Sequence, residues 1–213
     1  MKIPFFFQKR EHFRLKKELA ESISRSLKHG QSLQGPEVKK FEKNMLNYVK
    51  KKYAISVGSC TDGLFLSLKA LGIKKNDEVI VTSYSYIASA TCILRIGAKP
   101  VFVDVDTNGN MLIDKIESKI TKKTKAIIYV HLFGFFKNIE KLLKIKRKYK
   151  LFLIEDFAQA LGAKFNSYYA GSLGDISCTS FDPTKVLSAP GSGGMVFTNN
   201  KSLKNKIKKI RYH

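Results

Sequence analysis

Leu151-Phe152-Leu153-Ile154-Glu155-Asp156-Phe157-Ala158-Gln159-Ala160-Leu161-Gly162-Ala163 runs from an unbroken apolar stretch into two acids and then into small residues. A short run of branched and aromatic side chains closed by a polar break reads as a strand buried on both faces. Working outward from it, similar runs lie near residues 53–57, 78–82, 100–104, 125–130, 175–181 and 194–198, and helical stretches alternate with them. That alternation implies an α/β three-layer sandwich whose mostly parallel sheet is covered by helices on both faces. Ligands in such sheets sit beyond the C-terminal ends of the strands, and Asp156 directly follows the apolar run 151–155.

Upstream of the alternating region, Phe13, Leu19, Ile23 and Leu27 recur near helical spacing. Val38, Phe41, Leu46 and Val49 do the same after Pro36, a suitable first helical residue, and Gly30 and Gly35 bracket the link between the two patterns. Residues 1–30 therefore read as an N-terminal helical segment and residues 31–213 as the α/β domain.

A chain of 213 residues with 44% hydrophobic content can bury a sizeable core, which argues against disorder. The formal net charge of +22 raises the question of a nucleic-acid partner. The lysines are nevertheless spread over helical segments such as 137–150 and 201–209, which reads as solvated helix faces, and no nucleic-acid partner is expected. Cys60, Cys92 and Cys178 are too widely separated for a metal-ligand motif or a disulfide framework, so no metal is expected and a reducing, cytoplasmic compartment is. No apolar run approaches transmembrane length, and Met1-Lys2-Ile3-Pro4-Phe5-Phe6-Phe7 is too short in its apolar part for a signal peptide; no membrane association is expected.

Three segments carry candidate chemistry. Gly58-Ser59-Cys60-Thr61-Asp62-Gly63 joins a strand to the helical run 64–68, and its small residues leave the N–H groups of a helix N-terminus free to face an anion. Alone, it reads first as an ordinary helix cap. Tyr84 to Tyr86 follows another strand, and Ser180-Phe181-Asp182-Pro183-Thr184-Lys185 sets a lysine in a loop after a third. An acid at a strand end and a lysine in a later loop are the two groups that a pyridoxal 5'-phosphate enzyme needs most. The carboxylate keeps the pyridine nitrogen protonated, and the amine bonds to the aldehyde. Taken singly, Asp156 could equally be a cap or a salt-bridge partner, and Lys185 a surface lysine.

The ordered set is more specific. Gly35-Pro36-Glu37-Val38, the Gly58 to Leu64 turn, Gly97-Ala98-Lys99-Pro100-Val101-Phe102-Val103-Asp104, His131-Leu132-Phe133-Gly134, the Asp156 block and the Lys185 block occur in one order. In this the chain resembles the DegT/DnrJ/EryC1/StrS aminotransferases, the nucleotide-sugar branch of fold-type I pyridoxal-phosphate enzymes, from about Gly30 to the C-terminus. The resemblance implies the large domain of a pyridoxal-phosphate-dependent transferase, with Lys185 as the lysine bonded to the cofactor and Asp156 as the pyridinium partner. It further implies that Gln159 contacts the cofactor near its phenolic oxygen, that Thr61 and the backbone of Asp62 bind the phosphate, that Ser180 adds a phosphate contact, and that Tyr86 stacks on the pyridine. Tyr84 is expected to be structural.

The activity so implied is transfer of an amino group from an amino acid, glutamate by resemblance, to a keto-sugar carried on a nucleotide. A homodimer with active sites at the subunit interface is also implied, with Phe5, Phe41 and Tyr86 as candidate packing groups. Two departures stand out. The family's glycine loop usually carries an acid before its paired glycines, whereas Gly191-Ser192-Gly193-Gly194 has a serine. The family pattern also continues beyond His213 with the rest of the large domain and a small C-terminal domain, so residues 31–213 read as an incomplete large domain with little turnover of its own. Two alternatives stay open: a homologue without turnover, whether a binding protein or the product of a broken gene, and a pyridoxal-phosphate-dependent sugar dehydratase. The dehydratases of the family carry histidine where this chain has Lys185.

Overall fold

The computed structural model describes residues 8–31 and 33–212; the Phe5 packing expectation and the reading of the apolar N-terminus lie outside them. Nine strands are present among the described residues, in chain order: β1 (Tyr53–Val57), β2 (Glu78–Thr82), β3 (Lys99–Val103), β4 (Thr124–Val130), β5 (Phe152–Asp156), β6 (Lys164–Phe165), β7 (Tyr168–Tyr169), β8 (Ile176–Ser180) and β9 (Gly194–Thr198). The α-helices are α1 (Lys9–Arg14), α2 (Lys16–His29), α3 (Pro36–Val49), α4 (Cys60–Ala70), α5 (Ala88–Arg95), α6 (Ile139–Lys148) and α7 (Lys201–Ile210).

Seven strands form one sheet in the order β1-β9-β8-β5-β4-β2-β3. The pairs β2–β3, β2–β4, β4–β5 and β5–β8 are parallel. β9 runs antiparallel to both β8 and β1, so its first residue, Gly194, arrives at the edge where the parallel strands end. The expected mostly parallel sheet is thus present, and each expected strand is found within a residue of its reading. The two-residue hairpin strands β6 and β7 are additional; they are too short to give a periodic signal.

Strand alternation divides the core between the two faces. Ile80, Ile127, Tyr129, Leu153 and Phe197 pack with Met45 and Val49 of α3 and with Ile139, Leu142 and Ile145 of α6. Val79, Val81, Ile128, Ile154, Ile176 and Val196 pack with Leu64 and Leu68 of α4, Ile93 of α5 and Ile207 of α7. Each burial of this kind contributes roughly 1.5–3 kcal/mol per large side chain.

Helix ends follow local sequence. α3 begins at Pro36, as expected, and α2 ends on Gly30 in the left-handed region at φ 65°, where an L side chain would be strained. The N-terminal apolar pattern behaves differently from a core face. It is split between α1 and α2, neither of which contains a buried residue, and Phe13, Ile23 and Leu27 are 80%, 61% and 75% exposed. No described helix is long and apolar enough to cross a membrane.

Candidate active site

Glu155 and Asp156 are consecutive in β5, so their side chains leave on opposite faces of the sheet. Glu155 turns into the interior. It is fully buried, its Oε1 lies 2.8 Å from His131 Nε2 and accepts the Gly171 N–H at 3.0 Å, and its Oε2 accepts the N–H groups of Leu173 and Gly174. Burial pushes this carboxyl up, but the His131 contact, the Gly174 N–H and the Lys51 charge together hold it below the usual carboxylate value.

Asp156 turns the other way and lines a cavity of about 450 Å³ at the C-terminal edge of the parallel strands, a size suited to a small organic ligand. Its Oδ1 accepts the Ala158 N–H at 3.1 Å and faces Cys60 Sγ at 3.7 Å, and its Oδ2 accepts the Ser89 hydroxyl at 3.1 Å. Burial raises its carboxyl above the usual value despite these donors. Among the described residues no cationic side chain forms an ion pair with it. A buried carboxylate held by hydrogen bonds at a cavity wall suits a cationic group in the cavity, because each charge offsets the other's desolvation.

A second wall is the start of α4. Ser59 caps the helix: its hydroxyl oxygen accepts the Asp62 N–H at 3.0 Å, while its O–H is 2.9 Å from Asp62 Oδ2. The Asp62 N–H is therefore engaged in the cap, its carboxylate lies 3.8 Å from Arg95, and Asp62 does not line the cavity. The first N–H groups of a helix have no intrahelical acceptor, and Cys60 and Thr61, the first two residues of α4, both line the cavity beside Ser59. The turn is backed by Gly194: a Cβ there would stand 2.6 Å from the Cys60 nitrogen, so only glycine lets β9 pass so close.

The third wall is the segment after β8. Ser180 is buried and its oxygen accepts the Asp182 N–H at 3.2 Å; Asp182 in turn accepts the Thr184 N–H and hydroxyl at 2.9 and 2.6 Å, folding the turn that presents Lys185. Ser180, Lys185 and Ser192 all line the cavity, and the Ser192 hydroxyl donates to the Gly58 carbonyl at 3.0 Å, tying the glycine loop to the turn before α4. Tyr86 and Gln159 also line the cavity, with Gln159 Oε1 3.4 Å from the Phe133 nitrogen.

Thr61, Tyr86, Asp156, Gln159, Ser180 and Lys185 thus meet around one cavity, and Asp62 alone of the expected residues stands behind it. Tyr84 lies outside the lining, in van der Waals reach of Gly109. Sequence reading missed Ser89 and Cys60 as partners of Asp156. Ser85 and Ser89 share a helical face by spacing, but nothing in the sequence links either to a strand 67 residues away.

The sequence profile of the DegT/DnrJ/EryC1/StrS aminotransferase family matches residues 14–213. The chain is 39% identical to the UDP-2-acetamido-2-deoxy-3-oxo-D-glucuronate aminotransferase of Pseudomonas aeruginosa over 99% of its own length and 59% of that protein's. Among solved structures, DesV of S. venezuelae in complex with a ketimine intermediate is 34% identical and superposes with a TM-score of 0.94 over 99% of this chain and 57% of that one. NtdA of Bacillus subtilis with bound cofactor PMP is 32% identical, with a TM-score of 0.90 over 100% of this chain and 48% of that one. The chain therefore spans about half the length of the relatives it matches. With the sheet order, the cavity and the matched span in agreement, the chain belongs to the DegT/DnrJ/EryC1/StrS aminotransferase family.

Proposed function

We propose that residues 31–213 form the cofactor-binding large domain of a pyridoxal 5'-phosphate-dependent aminotransferase. The acceptor is a keto-sugar carried on a nucleotide and the amino donor is an amino acid, glutamate by resemblance. The observation that carries the reading is the meeting of Asp156, Lys185 and the N-terminus of α4 around one cavity. When bound, the cofactor supplies an electron sink for charge developing on the carbon next to the transferred nitrogen.

This chain's residues then have separate tasks. The N–H groups of Cys60 and Thr61, with the hydroxyls of Thr61 and Ser180, hold the phosphate through the helix terminus. Asp156 would hold the proton on the cofactor's pyridine nitrogen, since a carboxylate beside a cation lowers the free energy of both charges. Lys185 would hold the cofactor through its aldehyde, and its amine, when free, would move a proton at the donor's α-carbon. By the same resemblance, Gln159 would hold the cofactor near its phenolic oxygen and Tyr86 would stack on its ring.

The protein is proposed to act as a homodimer in a reducing cytoplasm. Tyr86, at 70% exposure, and the apolar stripe of α1 and α2 are the groups offered to a second copy. Phe41, expected to serve the same purpose, spends its ring edge-on against Phe181 within the chain, at 4.9 Å between centroids.

Mixing the chain with pyridoxal phosphate, reducing with borohydride and mapping peptides should place the label on Lys185. Lys185→Ala should lose the label and the visible absorbance together. Label on another lysine, or no uptake, would overturn the reading.

A further inference from the structure

We propose that Ser89 is a positioning residue for Asp156, its hydroxyl holding Oδ2 so that the carboxylate stays fixed and charged toward the cavity. The inference rests on the reading of Asp156 as the partner of the pyridine nitrogen.

The geometry leaves Ser89 little choice. It is 2% exposed, in the first turn of α5, with its N–H donated to the Tyr86 carbonyl at 3.1 Å. Its hydroxyl lies 3.1 Å from Asp156 Oδ2 and 3.1 Å from the Ser85 hydroxyl. An ionised carboxylate can only accept, and a hydroxyl has one proton to give, so Ser89 donates to Asp156 and accepts from Ser85. The chain Ser85 to Ser89 to Asp156 therefore has a fixed direction, starting from a half-buried hydroxyl at the cavity wall.

The two carboxylate oxygens are held unequally. Oδ1 has the Ala158 N–H and, at 3.7 Å, the Cys60 thiol, whereas Oδ2 has the Ser89 hydroxyl alone among the described residues. The carboxylate torsion of an aspartate is soft, so loss of Ser89 frees the plane to turn. It also leaves Oδ2 desolvated, which favours moving the proton from the pyridine nitrogen onto the carboxylate. The other titratable groups around Asp156 compensate poorly. Cys60, Cys92 and Cys178 are buried thiols whose ionisation is suppressed by burial, and His131 spends Nε2 on Glu155 across the sheet.

Two measurements test this. In the ligand-free chain, with aspartate labelled at the carboxyl carbon and Asp156 assigned through Asp156→Asn, Ser89→Ala should raise the Asp156 titration midpoint by about one unit, the size of one hydrogen bond to a charged group. Ser89→Thr should return it to the wild-type position, and Ser89→Cys, similar in volume but a weaker donor, should fall between. With pyridoxal phosphate labelled at the ring nitrogen, Ser89→Ala should move the nitrogen signal toward its unprotonated position while the affinity for inorganic phosphate stays unchanged.

Superimposed titrations of wild type and Ser89→Ala, or an unmoved nitrogen signal, would overturn the proposal. So would failure of Ser89→Thr to restore either readout in a folded protein, which would make Ser89 a packing residue. Failure of the wild-type chain to bind pyridoxal phosphate would instead overturn the functional reading, and the carboxyl titration would still decide whether Ser89 holds Asp156.

Discussion

Two neighbouring acids divide structure from chemistry. Asp156 is buried at the cavity wall and its carboxyl lies above the ordinary value because burial penalises its charge. A carboxyl whose folded value exceeds its unfolded one stabilises the fold at low pH and loses that contribution as pH rises through the folded value. Without ligand, the charged Asp156 is therefore a cost at neutral pH, and Asp156→Asn should unfold at a higher denaturant midpoint than wild type at pH 7. In a whole protein that carries this domain, amination by the same variant should fall by on the order of a hundredfold, the scale seen when one preorganised electrostatic group is lost. Its affinity for inorganic phosphate should hold, because that contact belongs to α4. A variant that lost phosphate binding and stability together would mark Asp156 as a support of the fold.

At the scale of elements, Glu155 joins β5 to the turn that launches β8. Its carboxylate gathers three N–H groups from residues 171–174 and the His131 ring, while Lys51 Nζ donates to the Gly174 carbonyl at 2.5 Å. β8 ends at Ser180 and leads to Lys185, so this buried anchor sets where the lysine loop begins. Glu155→Gln removes one member of a buried charged network and should cost about 3 kcal/mol in urea unfolding at neutral pH. Because the folded carboxyl of Glu155 lies below its ordinary value of 4.5, its contribution is complete above that pH and fades as pH falls through the folded value. The gap between wild type and Glu155→Gln should therefore narrow only in acid; a gap independent of pH down to unfolding would show that Glu155 acts by shape alone.

For the whole molecule, the least satisfied surface is N-terminal. α2 carries Ile23 and Leu27 exposed, with no buried residue of its own among the described residues, and its other faces are rich in charge. If this stripe meets a second copy, Leu27→Asp should raise the dimer dissociation constant at least about tenfold. The unfolding of the monomer should be untouched, since Leu27 is 75% exposed. Light scattering over a concentration series measures the first and thermal unfolding the second; a dimer of unchanged strength would remove α2 from the interface.

The sequence alone determined the seven strands of the main sheet, the start of α3 at Pro36, the position of Asp156 at a strand end and that of Lys185 in the loop after a strand, because these depend on local apolar runs and on proline and glycine geometry. It also supplied the ordered motifs that carry the family, which now stand on a matched span of residues 14–213. Only the tertiary structure decided the rest. The reversal of β9 is set by pairing with β1 and β8, strands far from one another in the chain, and it brings Gly194 against α4. The engagement of Asp62 in its own helix cap, the pairing of Glu155 with His131 and the grip of Ser89 on Asp156 are likewise matters of side-chain direction. A one-dimensional pattern says which face a residue takes, but hydrogen bonds between residues 24 or 67 positions apart exist only once the strands and helices have been brought side by side.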